Sequence, residues 1–191
     1  MPESAIHMFT ELSATSNFTF LTGASHPEEY MARAALLGME ALAIADDNSV
    51  AGIVRAHTES KAIARSVKER QEFDAITGLV GPPRPDHIPA APSAPIRTIP
   101  RLIPAARLVF RDAPPITVLP QDRAGWRSLC RIISAGRLRA EKGQCDISLA
   151  DLEAFPEGLH LLLWPQAHRG PGGAVRPGPG TCKVFMAAVW I

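Results

Sequence analysis

Five apolar residues stand in a row at Ala41-Leu42-Ala43-Ile44-Ala45, with Gly38 just before them and Asp46-Asp47-Asn48 directly after. The run is too short for a helix and too uniform for a strand with one wet face. It reads as a strand buried on both faces, which sets the fold class as α/β. In such folds, ligands gather at the carboxyl ends of strands, so the polar triplet marks the first place to look for chemistry.

The flanking segments supply the helices. Ser25 with Glu28 three residues on makes a capping box, and Pro27 falls in the first turn, where a missing N–H costs nothing. Tyr30, Ala34 and Leu37 recur at helical spacing with Met31 and Ala35 beside them, and Gly38 is placed to end the helix in a left-handed conformation. A second helix is expected from about Ser49 to about Glu69. Val50, Ile53, Val54 and His57 mark one face, and Arg55, Lys61, Arg65, Lys68 and Arg70 make the rest basic. With Glu59 and Glu69 interspersed, that basic run reads as a solvated face before it reads as a nucleic-acid contact.

Prolines crowd the segment from Gly81 to Pro100, excluding both helix and ladder pairing, so residues of about 81–100 are expected to be an insertion. Order resumes with a strand over Leu102–Phe110 and a neighbour at Ile116–Leu119. Asp122 caps a helix with a stripe of Trp126, Leu129, Cys130 and Ile133, ended by Gly136. Ser148 with Asp151 opens a short helix through Phe155, and Leu159–Trp164 reads as the last strand. The domain expectation is therefore 1–164. A Gly/Pro-rich irregular tail occupies 165–191, and its lost periodicity suggests a truncated or frameshifted reading frame. Absence of a continuing coding sequence in any frame beyond codon 191 refutes that suggestion.

Composition narrows the function classes. A formal net charge of +1 leaves no overall electrostatic footprint for nucleic acid. Cys130, Cys145 and Cys182 form no Cys-x-x-Cys pair, which argues against a disulfide framework or structural zinc and for reduced thiols in a cytoplasm. The first residues lack a signal-peptide pattern, and no stretch approaches a membrane span. Walker, dinucleotide and nucleophile-elbow motifs are missing.

Five blocks in order carry a family resemblance. They are Phe18–Glu29, Ala51–His57, Leu102–Leu108, Asp122–Arg131, and Gly143–Leu152 followed by Glu157-Gly158-Leu159. Over about residues 8–164 the chain resembles the PHP (polymerase and histidinol phosphatase) domain that opens bacterial C-family DNA polymerases of the error-prone group. The resemblance implies a partial, distorted (β/α) barrel of the PHP type, truncated at the C-terminus. In active members, histidines and carboxylates at one end of the barrel hold divalent metals for phosphoester hydrolysis.

Against that pattern this chain departs at each motif. Ser13 and Thr15 stand at the two histidine positions of the first motif, Asp47 follows Asp46 where the second pairs aspartate with histidine, and Arg107 replaces the glutamate of the third. A cation there repels metal ions. Asp46 and Asp47 read either as a residual metal site or as a solvated turn with Asp47 or Asn48 capping the next helix. His26 reads as an exposed first-turn residue and His57 as packed or half-exposed, while His7, His87, His160 and His168 show no ligand spacing. No catalytic, cofactor-binding or metal-binding residue is therefore assigned within the chain. The resemblance implies magnesium only for the full-length polymerase, the remaining polymerase domains as partners, DNA only in that context, and no membrane. Two other readings stay open: a free-standing PHP-type metal-dependent phosphoesterase, and an interaction module using the proline-rich loop.

Overall fold

The computed structural model of this chain describes residues 10–77 and 99–163. Almost all of the expected proline-rich insertion and the whole Gly/Pro-rich tail lie outside the described residues, as do Trp164 and Cys182. The chain divides into two units, Met1–Ala105 and Ala106–Ile191.

In the first unit, strand β1 (Glu11–Ala14) pairs in parallel with β2 (Ala41–Asp47), Glu11 facing Leu42 and Ala14 facing Ile44. Three residues on β1 thus span two on β2, so the register slips between those pairs. Residues Ala41 to Asp46 of β2 are all buried, as the apolar run demanded. Helix α1 (Pro27–Leu37) and helix α2 (Ala51–Thr77) share a core with β2 built from Met31, Ala34, Ala35, Leu42, Ile44, Ala56 and Ile63. Its alanines carry almost no side-chain entropy to lose on burial. Strand β3 (Arg101–Leu108) begins in this unit, where Arg101 N–H donates to the Glu40 carbonyl at 2.8 Å.

Several local readings shift. Helix α1 is capped by His26, with Glu29 accepting its N–H at 2.8 Å, instead of by Ser25 with Glu28. The reason is Pro27 at the first helical position: its ring forces the preceding residue into extended backbone, and His26 has φ −71° and ψ 150°. Leu37 is 61% exposed, outside the buried face of Met31, Ala34 and Ala35. Gly38 closes the helix as expected, at φ 70°. Helix α2 runs to Thr77 instead of about Glu69, because no glycine or proline interrupts the chain between Gly52 and Gly78. Its inner face is Ile53, Ala56 and Ile63; Val54 is 70% exposed and His57 is also exposed.

In the second unit, the end of β3 pairs antiparallel with β4 (Ile116–Pro120), and β4 pairs antiparallel with β5 (Leu159–Leu163). The predicted neighbour strand and last strand are both present. Strand β3 stops at Leu108, short of the expected Phe110, which instead makes an isolated parallel bridge to Ile147. Helix α3 (Arg123–Arg139) starts from Asp122, whose Oδ1 accepts the Gly125 N–H at 2.9 Å. Leu129, Ile132 and Ile133 are buried, while Trp126 and Cys130 are half-buried. Gly136 does not end this helix. A Cβ there meets Ile147 Cγ1 at 2.5 Å and Cys145 Sγ at 3.0 Å, so the glycine is a seat for the segment folding back over it. Helix α4 (Leu149–Ala154) opens with the predicted box: Asp151 accepts from Ser148 N–H at 2.8 Å and Oγ at 2.9 Å.

Two expectations follow. Alanine at Gly136 gains about 1 kcal/mol of helix propensity, but overpacking against Ile147 costs about 1–3 kcal/mol. Gly136→Ala is thus expected to lower the urea midpoint with the slope unchanged. The second concerns Asp151, whose carboxyl is held well below the usual carboxylate range, first by the Arg139 guanidinium at 2.8–2.9 Å and then by the Ser148 N–H. The unfolded chain binds that proton more tightly, so the stabilisation is fully present above the ordinary aspartate pKa of about 3.9 and is lost as pH falls through the lower folded value. Asp151→Asn therefore lowers the thermal midpoint at pH 7, and the gap from the unmodified chain closes in acid.

Candidate functional site

The carboxyl end of β2 is where the sequence points, and its chemistry turns inward. Asp46 is 1% exposed. Its Oδ1 accepts the Ser16 N–H at 2.8 Å and the Thr19 hydroxyl at 3.0 Å, and its Oδ2 accepts the Ser16 hydroxyl at 2.8 Å. Thr19 Oγ1 in turn accepts the Asp47 N–H at 2.9 Å. One side chain thereby ties the loop after β1 to the end of β2 through buried, charge-assisted bonds.

The surroundings are shaped around this knot. A Cβ on Gly52 stands 2.6 Å from Asp46 Oδ2 and 3.1 Å from Pro27 Cγ and Ser16 Oγ, so only glycine lets α2 begin this close. A Cβ on Gly23 falls 2.0 Å from the Ser16 carbonyl oxygen, so the loop closes on itself only because that residue is glycine. Asn48 takes the left-handed turn at φ 47°, and Ser49 Oγ accepts the Ala51 N–H at 3.2 Å at the start of α2. Asp46 is buried and so is no part of a solvated turn, and Ser49 contributes an acceptor at the helix start.

Among the described residues, those at the motif positions are engaged with protein partners. The Ser13 hydroxyl and N–H both donate to Glu11 Oε1, at 2.9 and 2.8 Å. Thr15 offers its carbonyl to the Tyr30 hydroxyl at 3.0 Å. Both oxygens of Asp46 accept from Ser16 and Thr19. Among the described residues, no group of three or more His, Cys, Asp or Glu stands together. His26, the N-cap of α1, is exposed, with Nδ1 at 2.9 Å from Asn17 Nδ2. Arg107 lies in the second unit, on β3 opposite Thr117 of β4. On α2, Arg55 pairs with Glu28 and Lys68 with Glu72, which fits the solvated reading of that basic face.

Sequence reading by motif missed a feature of the second unit. Helix α3 carries Arg123, Arg127, Arg131, Arg137 and Arg139 and no acidic residue. The first three are exposed, and beside them run two adjoining grooves of about 420 and 230 Å³ that share Arg131 and Phe155. A count of charge by helix, instead of by chain, reveals it.

The PHP domain family model matches residues 11–172. The error-prone DNA polymerase of Ruegeria pomeroyi is 45% identical over 166 residues, covering 83% of this chain and 15% of the relative. That of Rhodopseudomonas palustris is 40% identical over 158 residues, 82% of this chain and 11% of the relative. Error-prone DNA polymerase 1 of Rhizobium meliloti is 37% identical over 187 residues, 97% of this chain and 13% of the relative. The chain spans between 11% and 15% of the length of these three relatives.

Removing the knot tests its role. Asp46→Ala leaves three buried donors without an acceptor and is expected to cost about 3–5 kcal/mol by chemical denaturation. Ser16→Ala costs about 1–3 kcal/mol. Because both changes break one network, the double variant should lose less than the sum.

Proposed function

Given that the chain belongs to the PHP-domain family, we propose that it serves as the PHP domain of an error-prone DNA polymerase and braces that enzyme without cutting phosphoesters itself. The observation that carries this reading is the inward-turned Asp46. A carboxylate at the strand end where active members bind metal is here engaged by Ser16 and Thr19. Three relatives are named error-prone DNA polymerases, and the activity proposed for the parent enzyme is template-directed nucleotidyl transfer in damage-related DNA synthesis. That chemistry uses carboxylate-held magnesium ions to activate the primer hydroxyl and stabilise the leaving pyrophosphate. In this proposal those carboxylates belong to the remaining polymerase domains, which are the partners of this one, and DNA is bound by the whole enzyme in the cytoplasm. Among the described residues, no helix is long and apolar enough to cross a membrane.

The competing reading, a free-standing phosphoesterase, needs a metal cluster, and the residues at the motif positions do not supply one. Two measurements separate them. The 191-residue chain, dialysed after exposure to manganese or zinc, should retain no stoichiometric metal and hydrolyse no phosphomonoester. Stoichiometric metal together with turnover defeats the proposal. In a full-length polymerase carrying this domain, Asp46→Asn should lower the thermal midpoint while leaving kcat for primer extension per folded molecule unchanged; a lost kcat at unchanged stability overturns the bracing role.

A further inference from the structure

Arg123, Arg127 and Arg131 follow one another at four-residue steps along α3, and all three are exposed. Each step advances about 6 Å along the helix. Like charges at this spacing oppose the helix that carries them, and among the described residues no carboxylate forms an ion pair with any of the three. By contrast, Arg139 near the end of the helix is locked to Asp151. The row therefore presents guanidinium forks to solvent, the geometry that takes phosphate oxygens two at a time.

An apolar groove adjoins the row. Its floor is Cys130, Ala135, Leu138 and Phe155, with Leu138 88% exposed. The Arg131 guanidinium lies over the Phe155 ring, 5.6 Å from its centre, so cation and aromatic face are already stacked at the junction of the two grooves. Duplex nucleic acid would use the arginines and leave the apolar floor empty. A single strand uses both, phosphates on the cations and unstacked bases against the aromatic and apolar surface. A regular row of cations suits a repeating polyanion better than the scattered carboxylates of an acidic peptide.

We propose that this face of α3 is a single-stranded nucleic-acid binding site, with Arg123, Arg127 and Arg131 contacting successive parts of the phosphate backbone and Phe155 with Leu138 receiving bases. The choice of DNA as the strand rests on the polymerase reading above; the site itself rests on α3. Glu157 lines the second groove beside Arg127 and opposes an anion there.

The test uses the 191-residue chain and a labelled oligothymidylate of about ten nucleotides, followed by fluorescence anisotropy across a salt series. Three phosphate contacts on a single strand give a log–log salt slope of about −2, or roughly 15–20-fold weaker binding at 200 mM than at 50 mM salt. Arg127→Gln should reduce the slope by about 0.7. The triple variant Arg123→Gln, Arg127→Gln, Arg131→Gln should abolish binding without lowering the circular dichroism melting temperature. Glu157→Gln should tighten binding, a change of sign that a damaged fold does not produce. Absence of salt-dependent binding, binding unaltered in the triple variant, or preference for a poly-glutamate or acidic amphipathic peptide each overturns the proposal. Any of these leaves the bracing reading standing, whereas metal-dependent turnover would remove that reading without touching the arginine row.

Discussion

The first unit depends on where the oxygens of Asp46 point. A carboxyl group at the end of a buried strand has two uses: outward as a ligand for cations, or inward as an acceptor for nearby backbone and hydroxyl donors. Here Ser16 and Thr19 take all the contacts, Gly52 brings α2 against the same group, and Gly23 closes the loop that delivers both donors. Burial raises the stakes, because a carboxylate taken out of water must be paired or hydrogen-bonded. The knot meets that demand with neutral donors, three of them on the two oxygens.

This arrangement unifies the motif substitutions. Ser13 on the strand and Thr15 just after it carry short hydroxyl side chains at the positions where the family resemblance puts imidazoles in active members. Without those imidazoles a metal has too few ligands, and without a metal the aspartate is a liability unless something else satisfies it. Ser16 and Thr19 do so. The bracing role proposed for this domain is compatible with that local chemistry.

Much of this was readable in advance. The strand Ala41–Ala45, the left-handed Gly38, the Asp122 cap and the Ser148–Asp151 box follow from local rules, and each stands as expected. The readings that moved did so for tertiary reasons. Gly136 looked like a helix stop because glycine often is one; it is an interior position where Ile147 and Cys145 press too closely for a Cβ. His57 and Val54 fit a helical stripe, yet the face that turns to β2 is set by Ile53, Ala56 and Ile63. The partners of Asp46 are 27 and 30 residues away in sequence, so no local pattern announces them. The arginine row was hidden by a near-neutral total, since α3 is basic while acidic residues elsewhere balance the sum.

The fit of Gly52 against Asp46 has an evolutionary corollary. To turn outward, the aspartate must swing free of three donors on two residues. Freeing it alone weakens folding, since three buried donors lose their acceptor before anything new is there to compensate. The carboxyl group has thereby become part of the masonry.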